Sequence, residues 1–268
     1  MSLHVETSGS GAPLVLIHGW GMHGGIWGSI VPQLAQRFRV HCVDLPGHGY
    51  SMGSGKQGAS HLLPTSHFPL PAALDSIVDQ LSAQFSEPLT ICGWSLGGQV
   101  ALRWAQLIPA QVEKLILVSS TPCFTEREDW LFGMAQETLQ QFAAELERDY
   151  TATLRRFLAL QVRGCERERE LLLALRECLL SRGEPDMAAL RGGLEILCDT
   201  DLRGELASTR QPALVIAGER DKLTPPEASF YLAQELPNAR VVEIAGAAHT
   251  PFLSHPQVFL QHLNEFLV

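Results

Sequence analysis

The five residues Gly93-Trp94-Ser95-Leu96-Gly97 constrain this chain more than any other feature. An apolar run, Leu89 to Cys92, leads into them, and a segment with helical character, Leu96 to Leu107, leads out. A strand that turns into a helix at one residue needs thin backbone on both sides. The two glycines supply it and leave the serine hydroxyl projecting from a strained elbow. Gly98 extends the thin backbone into the start of the helix, where packing against a neighbouring strand needs room. Alone, the pentapeptide would by default be an ordinary Gly-rich turn; strand, elbow and helix together favour a nucleophile.

The surroundings fit a parallel sheet. Short runs rich in Val, Ile and Leu alternate with helix-length segments from residue 1 to about 121, the pattern of repeated βαβ units. Strands are expected at Leu3 to Thr7, Leu14 to Ile17, Arg39 to Asp44, Leu89 to Cys92 and Lys114 to Ser119, and helices at Gly25 to Gln36, Ala72 to Phe85 and Leu96 to Leu107. From Pro122 to Arg210 the β-branched runs vanish and apolar residues recur at helical spacing, as in Leu139, Phe142, Ala143 and Leu146. This segment reads as an all-helical insertion. Beyond Pro212 the alternation resumes, with strands at Ala213 to Ala217 and Arg240 to Ile244 and helices at Glu227 to Leu236 and Pro256 to Leu267. The expected organisation is an α/β core of residues 1–121 and 211–268 interrupted by a helical cap, 122–210. Met52 to Pro71, crowded with Gly, Ser and Pro, shows no period and reads as a long mobile loop, with His61 and His67 as solvated side chains.

Composition narrows the function. The chain has 268 residues, 46% of them hydrophobic, so it can bury a large core. Lys and Arg number 20 against 29 Asp and Glu, a net charge of −9 that excludes a broad phosphate-binding surface and so disfavours nucleic acid as a partner. Uninterrupted apolar runs such as Leu171 to Leu175 fall far short of the roughly 20 residues a bilayer demands, and the N-terminal residues lack a basic stretch followed by an apolar one. No membrane association is expected. The six cysteines have no paired spacing, which suits a reducing cytoplasm, and Cys92 reads as buried filler.

A serine hydroxyl is a poor nucleophile at neutral pH and needs a base, and the base needs a group to orient it. In parallel sheets functional groups gather at the C-terminal ends of strands. The strand after Pro212 ends in Gly218-Glu219-Arg220-Asp221, and the last strand is followed by Gly246-Ala247-Ala248-His249. Asp221 and His249 are therefore the candidate acid and base, with Glu219 and His255 as rivals. Glu219 lies nearer the strand and reads as solvent-facing or paired with Arg220, while His255 precedes Pro256 as a helix cap. Negative charge developing on a carbonyl oxygen requires two aligned N–H donors. The Leu96 amide follows the nucleophile, and the Trp20 amide lies in the Gly-flanked turn His18-Gly19-Trp20-Gly21. His18 and Asp44 read as scaffold.

On these residues the chain resembles the α/β-hydrolase superfamily along nearly its whole length, with the order Ser95, Asp221, His249. More narrowly it is similar to the carboxylesterases that hydrolyse the methyl ester of a pimeloyl-acyl carrier protein in biotin synthesis. That likeness rests on His18-Gly19-Trp20-Gly21, Gly93 to Gly98, Ser120-Thr121-Pro122-Cys123-Phe124, Arg156 to Gln161, Gly192 to Leu197 and Ala247 to Phe252. The resemblance implies an α/β-hydrolase fold, a mostly parallel sheet with helices on both faces and an inserted cap. It implies Ser95, Asp221 and His249 as catalytic triad and Trp20 and Leu96 as oxyanion hole. It further implies a substrate wall of Trp20, Ser95, Leu96, Phe157, Leu158, Ala159, Leu160, Gln161 and His249. The chemistry calls for no metal or organic cofactor. The implied partner is an acyl carrier protein bearing a pimeloyl methyl ester, met by a cytoplasmic monomer. The cap is acidic as a whole, but Arg155, Arg156, Arg163, Arg167 and Arg169 outnumber Glu166, Glu168 and Glu170 over residues 155–170, and these arginines are the candidate carrier contacts. A general short-chain esterase, a thioesterase or a carbon–carbon bond hydrolase would use the same triad. A ligand-binding module on the same fold is the non-enzymatic alternative.

Overall fold

The computed structural model describes residues 3–51 and 71–268. The expected 52–71 loop, with His61 and His67, lies outside the described residues except for Pro71, which begins a helix. Seven strands form one sheet: β1 (Val5–Ser8), β2 (Ala12–Ile17), β3 (Phe38–Val43), β4 (Leu89–Trp94), β5 (Val112–Val118), β6 (Ala213–Gly218) and β7 (Ala239–Ile244). Their spatial order is β1-β3-β2-β4-β5-β6-β7, with β1 antiparallel to β3 and every other pair parallel. Every residue of β4 and of β6 is buried, as parallel strands covered on both faces must be. The continuous apolar runs that betrayed these strands in the sequence have this cause.

The α-helices are α1 (Val31–Leu34), α2 (Pro71–Ser82), α3 (Leu96–Leu107), α4 (Gln136–Arg148), α5 (Tyr150–Val162), α6 (Glu168–Leu180), α7 (Met187–Asp199), α8 (Pro226–Glu235), α9 (Pro251–Ser254) and α10 (Pro256–Leu267). Two expectations are corrected. The single helix expected over Gly25 to Gln36 is a 3-10 turn, Gly24–Trp27, followed by the four-residue α1. Gly28 ends the first piece and Pro32 sits in the first turn of the second, which explains the break. The segment inserted between β5 and β6 is not helical throughout: residues 122–135 form turns closed by the bridges Cys123–Asp201, Thr125–Met134 and Arg127–Trp130 before α4 begins. Trp130 anchors this stretch by stacking edge-on against Tyr231 of α8, ring centroids 4.9 Å apart.

The parallel order places the C-terminal ends of β2, β4, β5, β6 and β7 along one edge. An aromatic stack braces that edge from below. Phe252 of α9 lies 4.4 Å from Trp27 and 5.3 Å from Trp94, all three fully or almost fully buried.

Candidate active site

Ser95 sits between β4 and α3 with φ 55° and ψ −119°, one of two non-glycine residues with positive φ among those described. Such a conformation costs of order 1–3 kcal/mol and survives only where the surroundings enforce it. They do so through the glycines. A Cβ on Gly93 would come within 2.1 Å of the Gly97 carbonyl oxygen, one on Gly97 within 2.4 Å of the Ile17 carbonyl oxygen, and one on Gly98 within 2.3 Å of Ser120 Oγ. Chain therefore passes chain at contact distance on both sides of the elbow. The Ser95 amide donates to the Val118 carbonyl at 2.9 Å, and Ser120 Oγ donates to the Ser95 carbonyl at 2.9 Å, fastening the elbow to β5. Leu96, the first residue of α3, places its amide among the unpaired N–H groups of a helix N-terminus.

The turn after β2 lies alongside. A Cβ on Gly19 would stand 3.2 Å from Ser95 Cβ. Trp20 is buried, its indole Nε1 donating to the Leu190 carbonyl at 2.8 Å and its ring meeting Phe157 edge-on at 4.9 Å and Phe142 at 5.6 Å. His18 uses both ring nitrogens: Nδ1 donates to the Gly19 carbonyl at 2.8 Å, and Nε2 accepts from the Leu45 amide at 2.9 Å. Burial, reinforced by the adjacent His48, pulls His18 down to about 3, so it is a neutral brace for this turn. Cys92 is fully buried and burial pushes its thiol up, which disqualifies it as a thiolate nucleophile.

Asp221 and His249 are brought together. Asp221 Oδ2 accepts from His249 Nδ1 at 2.8 Å, with both side chains only 1% exposed. With Nδ1 donating, Nε2 is left with a lone pair, the tautomer a general base requires. Asp221 Oδ1 accepts from the amides of Leu223 at 2.9 Å and Thr224 at 3.0 Å, so the turn before α8 fixes it. The His249 carbonyl accepts from Trp94 Nε1 at 2.8 Å, which fastens the histidine to the residue preceding Ser95. The His249 amide donates to the Gln161 carbonyl at 3.1 Å. The side-chain contacts of His249, to Asp221 and to the Thr224 hydroxyl, run through Nδ1.

The rivals are employed elsewhere. Glu219 accepts from the Gly246 amide at 2.7 Å and lies 3.9 Å from Arg220, while His255 Nδ1 pairs with Ser254 Oγ at 2.9 Å. Residues 157–161 occupy the last turns of α5, where each successive side chain is rotated by about 100° about the axis. Leu158 and Gln161 are buried and Phe157, Ala159 and Leu160 half-buried; the Gln161 amide group has neither its nitrogen nor its oxygen paired. Arg155, Arg156, Arg163, Arg167 and Arg169 are all exposed, but Arg156 pairs with Glu145 and Arg167 with Glu170. Three contacts at the site carry no sequence motif: the Thr224 hydroxyl on Asp221 Oδ2 at 2.8 Å, the Trp94 indole on residue 249 and the Gln161 carbonyl on the same residue. Only the first leaves a local trace, a threonine three residues after an aspartate in a turn. Among the described residues no group of three or more His, Cys, Asp or Glu could hold a metal, and no helix is long and apolar enough to cross a membrane.

A family model of the alpha/beta hydrolase fold matches residues 12–256. The chain is 45% identical to the pimeloyl-[acyl-carrier protein] methyl ester esterase of Nitrosomonas europaea, over 97% of each chain. It is 42% identical to the enzyme of that name from Nitrosospira multiformis, over 99% of this chain and 98% of the other, and 40% identical to that from Aeromonas hydrophila over the whole of both. Among solved structures, a bromoperoxidase from Bacillus anthracis superposes with a TM-score of 0.84 at 24% identity, covering 99% of this chain and 95% of that one. An esterase from Exiguobacterium antarcticum does so with a TM-score of 0.83 at 22% identity and the same coverage, and these two likenesses speak to the fold. The chain belongs to the α/β-hydrolase fold family and, within it, to the family of the pimeloyl-[acyl-carrier protein] methyl ester esterases.

Proposed function

We propose that this protein is a serine carboxylesterase that hydrolyses the methyl ester of a pimeloyl-acyl carrier protein, releasing methanol and the free carboxylate. The single observation that carries the chemistry is the buried Asp221–His249 pair, 2.8 Å apart and tied through Trp94 to the elbow that presents Ser95. Substrate identity rests on the relatives' common name and the length over which they match.

His249 Nε2 takes the Ser95 proton as Oγ attacks the ester carbonyl, and the Leu96 and Trp20 amides receive the charge that develops on oxygen. The imidazolium returns that proton to the departing methoxide, and methanol leaves an acyl-enzyme. Water, deprotonated by the same imidazole, then releases the carboxylate and restores Ser95. Asp221 keeps the ring in its productive tautomer and stabilises its cation. Residues 122–210 act as the cap, and Phe157, Leu158, Ala159, Leu160 and Gln161 of α5 form the substrate wall, Phe157 through its contact with Trp20. The carrier docks on Arg155, Arg156, Arg163, Arg167 and Arg169, with Arg156 and Arg167 exchanging their glutamates for carrier carboxylates. The protein works as a cytoplasmic monomer.

Mass spectrometry of the carrier-bound ester before and after incubation tests bond and substrate together. The expected result is loss of one methylene mass unit from the pimeloyl group. Ser95→Ala is expected to keep the fold, read by circular dichroism, and to lose turnover by about 10⁴-fold or more. An unchanged carrier ester beside rapid hydrolysis of simple aryl esters would leave a general esterase instead.

A further inference from the structure

Thr224 is 2% exposed and lies three residues after Asp221, ahead of α8. Its amide donates to Asp221 Oδ1, as that of Leu223 does, and any residue but proline would provide that bond. What threonine adds is its hydroxyl. Oγ1 donates to Asp221 Oδ2 at 2.8 Å, the same oxygen that accepts from His249 Nδ1 at 2.8 Å, and Oγ1 itself lies 3.4 Å from Nδ1.

Rotation of a carboxylate about its terminal torsion is soft, with a broad twofold profile. Two amides on Oδ1 hold that oxygen, yet small rotations still swing Oδ2 out of the plane of the imidazole. A hydroxyl on Oδ2 removes this freedom. Its own rotation is limited because the β-branched side chain is stiff at χ1 and fully enclosed. The four donors, two on each oxygen, also fill the acceptor capacity of the carboxylate, so no water is needed to satisfy it.

We propose that Thr224 is a positioning residue of the base: its hydroxyl locks Asp221 Oδ2 against His249 Nδ1 and so fixes the ring for proton transfer. This rests on the triad reading above. It does not depend on which ester is cleaved.

The test compares Thr224→Val, which keeps shape, branch and amide, with Thr224→Ser, which keeps the hydroxyl. For Thr224→Val, kcat is expected to fall about tenfold with KM within about twofold, as befits loss of one hydrogen bond to a charged group. The low-field proton resonance of the His249 Nδ1–H···Asp221 bond is expected to move upfield or broaden. Thr224→Ser is expected to recover kcat to within about threefold and restore the resonance. Wild-type kcat and an unmoved resonance in the valine variant would overturn the proposal. So would a serine variant as impaired as the valine one. The resonance reports on the aspartate–histidine pair without any turnover, so failure here is distinguishable from failure of the esterase reading, which Ser95→Ala addresses.

Discussion

Two buried aspartates follow β3 and β6 at the same edge of the sheet, with β2, β4 and β5 between them, and have different partners. Asp44, just after β3, is 0% exposed and accepts from the amides of Gly24 at 2.7 Å and Tyr50 at 2.8 Å; Asp221, beyond β6, is 2% exposed and also accepts from two amides. The difference lies in the remaining partner. Asp44 faces the guanidinium of Arg182 at 3.0 Å, a group that stays charged at every working pH, and Arg182 pairs in turn with Glu6. Asp221 faces the Nδ1 of the His249 imidazole at 2.8 Å. The first arrangement ties the turn after α6 to β3; the second holds the imidazole of His249 by its Nδ1. Two buried carboxylates, each with two backbone donors, thus end on different side chains, a guanidinium and an imidazole.

Exchanging each carboxylate for an amide breaks the comparison most sharply. Asp221→Asn is expected to lower kcat by about 10⁴-fold, because the asparagine favours the wrong imidazole tautomer, while the melting temperature changes little. Asp44→Asn is expected to do the reverse, costing about 3 kcal/mol of stability by stripping a buried guanidinium of one partner, with kcat per folded molecule retained. Steady-state kinetics beside urea titrations of the two variants check both halves.

The buried strands and the positions of residues just past strand ends were legible from residues alone because they follow from local rules. The strands β2, β4 and β6 advertise themselves as apolar runs, and Ser95, Asp221 and His249 each follow a strand end with glycine nearby. Thr224 left only a faint trace, its spacing from Asp221, since its hydroxyl reaches the carboxylate only once the turn is closed. The Trp94 indole on residue 249 spans 155 positions in sequence and belongs wholly to the tertiary fold. The 122–135 segment misled because apolar spacing further on suggested helix throughout, whereas its bridges to residues 134 and 201 are set by packing on α8.

Proton linkage sharpens the contrast between the networks. His18, beside Asp44, is held near 3 by burial, and burial also lowers His48 and His23. Below the ordinary histidine value of about 6.5 the unfolded chain binds protons that the folded one refuses, so stability falls with pH by about 1.4 kcal/mol per unit for His18, down to pH 3. Asp44 acts in a separate window. Burial opposes its ionisation, but the Gly24 and Tyr50 amides together with nearby positive charge, the Arg182 guanidinium included, outweigh this and hold it below the usual carboxylate range, so its contribution persists to lower pH and is lost as pH falls through its depressed value. Unfolding midpoints measured between pH 7.5 and 5 are expected to decline already in the first window, and a flat profile there would contradict the neutral state of His18.

The smallest effects concern how the cap meets the site. A Cβ on Gly193 would lie 2.6 Å from Trp20 Cδ1, and the indole is pinned through Leu190, so Gly193→Ala is expected to cost about 1–3 kcal/mol and to slow turnover by displacing Trp20. Its neighbour Gly192 has nothing within 4 Å of the same position, and Gly192→Ala is expected to raise stability by up to about 1 kcal/mol with activity unchanged. Thermal melts of the pair separate backbone effects from contact with the tryptophan.

The bond from the His249 amide to the Gln161 carbonyl makes the imidazole a shared possession of the two parts of the molecule. The C-terminal end of α5 cannot lift away without also pulling on His249. A displacement of that end would therefore be read directly in the position of the imidazole.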